Sequence, residues 1–143
     1  MGTRLALYAF MAAALAVLPL PSQTFRSVPS GTSGISFENL IEESDTFNIV
    51  RDFYAFNGGG VGVGDLDGDG LPDLVFTATQ SAPRVYRNLG GLRFQDVTAR
   101  VGLPTTSMHM CNGVLVTDLT GDGAPDILIS RRYDPALFYV NDG

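Results

Sequence analysis

The sequence lacks several residue types, and each shortage limits what the protein can be. It contains no lysine and no tryptophan, and it has one cysteine and one histidine among 143 residues. The single cysteine, Cys111, excludes an internal disulfide, so a small extracellular fold would need another source of stabilisation. One histidine and one cysteine without visible partners give little support to nucleophilic catalysis. The nine basic residues are arginines scattered along the chain, which argues against a nucleic-acid partner.

Acidic residues, by contrast, are concentrated in a motif that occurs twice. Residues 65–73 read DLDGDGLPD, and residues 118–126 repeat them 53 positions later as DLTGDGAPD. Seven of the 15 acidic residues lie in these two segments, so the formal charge of −6 becomes +1 without them (−6 + 7). The acidity is therefore local, and it does not indicate a surface for a basic partner.

Each segment has the oxygen pattern of a calcium loop. Oxygen side chains at loop positions 1, 3, 5 and 9, with glycine at position 6, let a tight backbone surround one cation that takes about 6 to 8 oxygens. The predicted metal ligands are Asp65, Asp67, Asp69, the Leu71 carbonyl and Asp73 in the first copy, and Asp118, Thr120, Asp122, the Ala124 carbonyl and Asp126 in the second. Because Thr120 replaces an acid, we predict two Ca²⁺ sites of which the second is weaker. The alternative is a pair of Asp-Gly turns with surface carboxylates.

The surroundings of the motif exclude two better-known loops. An EF-hand needs a bidentate acid at position 12, where this chain has Phe76 and Ile129. The glycine-rich residues 58–64 fit neither a dinucleotide-binding nor a P-loop motif, and we expect them to let an inner strand pack closely. Both acidic segments are therefore predicted to connect β-strands.

The 53-residue offset extends beyond the loops and predicts the architecture. Gly60, Val75 and Tyr86 correspond to Gly113, Leu128 and Tyr139 at this offset. The first copy contains four candidate strands, at residues 60–65, 73–79, 84–88 and 92–97. We predict an all-β fold of four-stranded antiparallel propeller blades, with one complete blade in a first repeat at 58–111 and part of a second in an incomplete repeat at 112–143.

These residues resemble a known repeat family. The pattern Gly-x-Gly-x-x-Asp-x-Asp-x-Asp-Gly-x-x-Asp-Leu, the turn Tyr-Arg-Asn-x-Gly-Gly and the segment Phe-Gln-Asp-Val-Thr are similar to the FG-GAP or VCBS repeat, most closely in the ASPIC/UnbV and cartilage-acidic-protein-like group. The resemblance covers residues 35–143. It implies a calcium-binding β-propeller of the kind found in integrin α chains, usually with seven blades, and it implies the same aspartate and threonine ligands.

The N-terminus predicts where the protein works. A short basic start, an apolar run at residues 5–18 and a proline-rich segment indicate a secretory signal peptide at 1–22, the alternative being an uncleaved anchor, and we expect no membrane span in the mature chain. The protein would then be secreted, or lie in a bacterial periplasm or at a cell surface. Residues 23–57 are predicted to form an N-terminal arm with a possible closing strand at 35–39, the alternative being an irregular arm.

The number of repeats is too small for a closed propeller, which needs about four to eight blades. We therefore expect an N-terminal fragment of a longer protein, with the remaining blades supplied by missing sequence or by self-association. The predicted function is a secreted module that binds an unknown protein or glycan, with calcium in a structural role and no enzymatic activity. The alternatives are the non-catalytic propeller of a larger hydrolase or lyase and a purely structural surface repeat.

Two further segments allow a second interpretation. Residues 108–111 place soft ligands in a row, as a copper(I) site would, although a loop at the propeller face is the simpler prediction. Residues 131–133 are predicted to be a solvated loop, with a contact site as the alternative.

Overall fold

The regular secondary structure of the described chain is almost entirely β, and the strands are joined by long turns and loops. The computed structural model describes residues 24–107 and 110–143, in which a single helical turn, α1 (Ser30–Ser33), precedes seven strands. The strands are β1 (Val61–Gly64), β2 (Asp73–Phe76), β3 (Arg84–Asn88), β4 (Phe94–Asp96), β5 (Cys111–Thr117), β6 (Asp126–Arg131) and β7 (Leu137–Tyr139). They form two antiparallel sheets, in the orders β1-β2-β3-β4 and β5-β6-β7. This confirms an all-β fold with one four-stranded blade and three strands of a second, and the described residues form no closed propeller.

The two sheets share one register. Val63 pairs with Leu74 in the first sheet, and their equivalents Val116 and Ile127 pair in the second. Runs of β-branched and aromatic residues favour these short strands, and the Asp-Gly loops end them. The acidic segments therefore connect β1 to β2 and β5 to β6, as predicted.

The sheets pack through glycines on the innermost strand of the first blade. A Cβ atom added at Gly62 would lie 2.7 Å from Cγ2 of Val116, and one at Gly64 would lie 2.5 Å from Cγ1 of the same valine. Strand β1 approaches β5 this closely because it carries no side chain on that face. The prediction that the glycine-rich segment allows close packing of an inner strand is confirmed.

The hydrophobic core lies between the two sheets. Its fully buried members come from both blades and from the loop between them: Val75, Val85, Val97, Leu103, Cys111, Ile127 and Ile129. Burying each such side chain contributes about 1.5–3 kcal/mol to stability. Cys111 is 1% exposed at the start of β5, and its thiol is free.

The arm does not supply the closing strand that was possible at residues 35–39, where the structure has no strand. Phe37 instead stacks on Phe76 of β2, with ring centroids 4.9 Å apart. The Asn39 side-chain oxygen accepts a hydrogen bond from the Thr79 N–H at 3.0 Å, so the segment is fixed by side chains rather than by a ladder of backbone bonds. The irregular arm is the interpretation that the structure supports.

The same arm reaches the second blade. Arg132 donates a hydrogen bond to Asp52 at 2.6 Å, and its guanidinium carbon lies 3.9 Å from the centroid of the Tyr54 ring. The Tyr133 hydroxyl donates to the other oxygen of Asp52 at 2.8 Å. Arg131 ends β6, which the prediction of a loop did not include, whereas Arg132 and Tyr133 lie in an exposed bend as predicted and also contact Asp52 of the arm.

Two predictions fall on residues outside the described part of the chain. The signal peptide at 1–22 lies there entirely, and so do Met108 and His109 of the alternative copper site. Within the described residues, no helix has the length and apolar character needed to cross a membrane.

Candidate metal centre

The two acidic loops, loop 1 (residues 65–73) and loop 2 (residues 118–126), fold in the same way around their first aspartate. Asp65 Oδ2 accepts a hydrogen bond from the Gly70 N–H at 2.8 Å, and Asp118 Oδ2 accepts one from the Gly123 N–H at 2.9 Å. Both glycines have positive φ, 83° and 95°, which side chains disfavour. The Asp-Gly spacing of the motif thus turns the backbone back onto position 1.

The last aspartate of loop 1 is buried and accepts two hydrogen bonds from the backbone. Asp73, 2% exposed, accepts hydrogen bonds from the N–H groups of Leu66 (2.9 Å) and Asn88 (2.7 Å). Burial raises the pKa of Asp73, and the charges of Asp67 and Asp69 raise it as well. Because both effects disfavour the charged carboxylate, a bound cation would stabilise this site.

The equivalent aspartate of loop 2, Asp126, has two equivalent backbone hydrogen bonds and a third in addition. Asp126, fully buried, accepts hydrogen bonds from the N–H groups of Asn141 (2.9 Å) and Leu119 (2.8 Å) and a third, at 3.1 Å, from Thr120. The Asn141 N–H lowers the pKa of Asp126, as do the other two bonds, against the opposing effect of burial. The last aspartate of loop 2 thus accepts one backbone hydrogen bond more than its equivalent in loop 1.

Loop 1 brings three of its predicted ligands together. Asp65, Asp67 and Asp73 each place one carboxylate oxygen so that all three oxygens lie within 4.8 Å of one another. Two oxygens bound to one Ca²⁺ at 2.3–2.6 Å can be no more than about 5.2 Å apart, so this spacing fits a single ion. Each aspartate retains lone pairs beyond those used in hydrogen bonds, because a carboxylate has about four acceptor positions.

Asp69, the position 5 ligand of the prediction, is instead engaged by an arginine. The Arg87 guanidinium of β3 forms ion pairs with Asp67 and, at 3.0 Å, with Asp69. Hydrogen bonds from the Leu71 N–H and from Arg87 lower the pKa of Asp69. Arg87 thus supplies a positive charge at the place where the motif predicts a metal ion.

Loop 2 arranges its predicted ligands differently. Among the residues that the structure describes, no three acidic side chains of loop 2 bring their oxygens as close together as those of loop 1. The Asp122 carboxylate accepts a hydrogen bond from the Ala124 N–H at 2.9 Å, as Asp69 does from Leu71 in loop 1. Loop 2 has one carboxylate fewer than loop 1, because Thr120 occupies the position of Asp67. It also has no neighbouring arginine at this position, because the residue equivalent to Arg87 is Val140.

The part of the chain that contains both acidic loops is similar to a known repeat family. Residues 65–129 match the family model of the FG-GAP-like repeat. The FG-GAP-like match begins at the first aspartate of loop 1 and ends in β6, so it includes both loops and the packed strands between them. FG-GAP repeats are a non-catalytic repeat type that is typical of extracellular proteins. Comparisons with curated proteins and with solved structures give no match.

Sequence reasoning did not identify two residues that shape these loops. Arg87 and Asn141 are both outside the acidic motif, although the 53-residue alignment contains a signal for each. Arg87 aligns with Val140, a change from charged to apolar, and Asn141 aligns with a second asparagine, Asn88. Their roles depend on which strands lie beside each loop, and the motif alone does not show that.

Proposed function

We propose that this chain is a calcium-binding repeat module in which one ion in each acidic loop holds the connection between two neighbouring strands. The observation that carries the proposal is the approach of the Asp65, Asp67 and Asp73 oxygens to within 4.8 Å of one another. Three carboxylates at this distance repel one another, and a divalent ion would remove that repulsion. The match of both loops to the FG-GAP-like repeat supports the same interpretation.

The chain's own residues define how such an ion would be held. In loop 1 the ligands would be Asp65, Asp67 and Asp73, with Asp69 and the Leu71 carbonyl completing the set once Asp69 leaves Arg87. In loop 2 they would be Asp118, Thr120, Asp122, the Ala124 carbonyl and Asp126. The ion would supply charge neutralisation and rigidity, and no chemical step.

Calorimetric titration of the full chain with calcium tests this function. We expect two binding events, the tighter one in loop 1 with its four carboxylates, and a higher melting temperature in calcium than in a chelator. At a calcium concentration 100-fold above Kd, each site would add about 2.7 kcal/mol to the free energy of unfolding. The absence of binding heat up to millimolar calcium would overturn the proposal.

A pair of variants separates loop binding from a general effect of charge. Asp67→Ala removes one of the three clustered carboxylates and should abolish one of the two binding events. Asp45→Ala removes an exposed acid outside both loops and should leave both events unchanged. Equal calcium binding by the two variants would show that loop 1 is not the site.

We also propose that the protein is secreted and that the module binds a protein or glycan. An exposed aromatic group on the arm supports a binding role, with Phe53 78%, Tyr54 52% and Phe56 50% exposed, since such groups are common at binding surfaces. A glycan array probed with the full chain and with a Phe53→Ser variant tests this role, and equal retention by both on every glycan would exclude this surface.

Expression of the full chain in a secreting host tests its location. A secreted product that has lost residues 1–22 supports export, and retention of the intact chain inside the cells would contradict it.

A further inference from the structure

One residue, Leu66, is hydrogen-bonded through its backbone to both ends of a path between the two acidic loops. The Leu66 N–H donates to Asp73 Oδ2 within loop 1 at 2.9 Å. The carbonyl of the same residue accepts a hydrogen bond from the side-chain amide of Asn141 at 2.8 Å. Leu66 is also partly buried against the hydrophobic core, which limits the movement of this residue. Because the two successive peptide groups that flank its Cα are each hydrogen-bonded, a shift of one partner is transmitted to the other.

Asn141 also donates two hydrogen bonds to loop 2. Its backbone N–H donates to Asp126 Oδ1 at 2.9 Å, and its side-chain amide donates to the Pro125 carbonyl at 3.2 Å. The side-chain amide therefore bonds to both loops at once.

Three hydrogen bonds and two residues thus connect the final aspartates of the two loops. Asp73 and Asp126 are 2% and 0% exposed, so water competes little for the bonds at either end. Buried bonds to a charged acceptor are stronger than neutral ones, which favours an ordered path.

Asn88 occupies the equivalent place in the first repeat and provides an internal comparison. Its N–H donates to Asp73 at 2.7 Å and its side-chain amide donates to the Pro72 carbonyl at 2.8 Å, so these bonds remain within loop 1. The same residue type at the same position of the repeat thus serves one loop in the first copy and two loops in the second.

We infer that Asn141 is a positioning residue for both cation sites, and that through it calcium in one loop raises the affinity of the other loop. This inference rests on the proposed calcium-binding function. Binding in loop 2 fixes Asp126, hence Asn141 and the Leu66 backbone, and the ordering of Asp73 is then partly complete before loop 1 binds. The effect is reciprocal, because coupling between two binding equilibria acts equally in both directions.

The test measures the affinity of loop 1 with loop 2 intact and with loop 2 disabled. In the unmodified background, Asp122→Ala should abolish binding in loop 2 and weaken calcium binding in loop 1 about fivefold or more. In the Asn141→Ala variant, the addition of Asp122→Ala should leave the calcium affinity of loop 1 unchanged. Asn88→Ala is the matched control, since it removes the equivalent amide and should preserve the fivefold effect.

The outcomes separate this inference from the function on which it rests. Two binding events, with the same effect of Asp122→Ala in the presence and absence of Asn141, would overturn the coupling and leave calcium binding intact. Absence of binding heat in the unmodified chain would overturn both.

A measurement on the unmodified chain covers the case in which a variant fails to fold. The NMR signals of the Asn141 side-chain amide should shift when calcium fills loop 1, because this amide donates to the Leu66 carbonyl. The backbone amide signals of Gly68 and Gly70 report when loop 1 fills. Asn141 signals that stay constant during this step would contradict the inference.

Discussion

Arg87 shows how one side chain changes the balance of a charged loop. Loop 1 has four carboxylates and loop 2 has three, which alone predicts tighter binding in loop 1. The arginine lowers the net charge of loop 1 from −4 to −3 (−4 + 1), equal to that of loop 2. A cation that enters loop 1 must therefore compete with a cation that belongs to the chain.

Replacing Arg87 by valine, the residue at the equivalent position of the second repeat, should tighten calcium binding in loop 1. We expect roughly a fivefold lower Kd, since the removed charge is partly exposed and acts through a water-like dielectric. Calorimetric titration measures this, with Arg93→Val in the exposed β3–β4 turn as the control. Unchanged or weaker binding by the Arg87 variant would show that the arginine does not compete with the ion.

The contact between Asp52 and Tyr133 has a defined pH range. The Tyr133 hydroxyl lowers the pKa of Asp52 below 3.8, and the same hydrogen bond raises the pKa of Tyr133 above 10.0. The contribution of Asp52 to stability is present above pH 3.8 and is lost as pH falls through its folded pKa. That of Tyr133 is present below pH 10.0 and is lost as pH rises through its folded pKa.

We therefore expect Tyr133→Phe to lower the melting temperature by a constant amount between about pH 4 and pH 10. The difference from the unmodified chain should shrink at both extremes, because the hydrogen bond then disappears from the unmodified chain too. Melting curves across this range measure it. A difference that stays the same at pH 3 would show that the hydroxyl does not act through Asp52.

At the scale of the strands, the contact of β1 with β5 depends on glycine. Gly62→Ala would place a methyl group 2.7 Å from Val116, whose branched side chain cannot rotate away easily. We expect a loss of about 1–3 kcal/mol in the free energy of unfolding, measured by denaturant titration.

Gly31→Ala in α1 is the control for this substitution, because nothing lies within 4 Å of an added Cβ there. It should change stability by less than about 0.5 kcal/mol. If Gly62→Ala is equally harmless, the two sheets do not pack as described.

The strands themselves were predictable, and their ends less so. The interval 84–88 matches β3, because Val85 and Tyr86, which favour strands, lie between clear turn signals. The interval 73–79 was too long, since β2 ends at Phe76. The Thr79 carbonyl accepts a hydrogen bond from the Met110 N–H at 2.6 Å, so this end of the segment pairs with the chain just before β5. A single-strand pattern does not show which distant segment competes for its backbone.

The arm and the inter-loop contact were not predictable for a related reason. Residues 34–57 lack a helical or strand period, and their positions depend on side-chain contacts such as those of Phe37 and Asp52. The calcium motif located the candidate site because its spacing is local. The Asn141 link was missed because it joins residues 75 positions apart.

At the scale of the whole molecule, each blade has one apolar face that no other sheet among residues 24–107 and 110–143 covers. Val61 and Val63 are 58% and 56% exposed on the first blade, and Leu115 is 47% exposed on the second. The equivalents of Gly62 and Gly64 in the second blade are Leu115 and Thr117. Leu115 and Thr117 carry side chains where β1 has glycines. A further blade, or a second copy of the chain, therefore cannot pack on this face of the second blade in the way the two sheets pack on each other.

We expect that the unmodified chain does not stack head to tail through this packing. The double variant Leu115→Gly/Thr117→Gly recreates the glycine surface that receives valines in β1–β5 packing, and it should form larger species in sedimentation velocity. Leu89→Gly, in an exposed turn, is the control and should sediment as the unmodified chain does. Stepwise oligomers of the unmodified chain, unaffected by the double variant, would contradict this expectation.

The buried thiol of Cys111 gives the molecule an internal reporter. Burial raises the pKa of this thiol, and alkylating reagents react with the thiolate. Because the sulfur lies in the core between the two sheets, a reagent reaches it only when the blades separate. The rate of alkylation therefore measures how often the sheets come apart, and a slower rate in calcium would show that the loops restrain the whole interface without any label added to the chain.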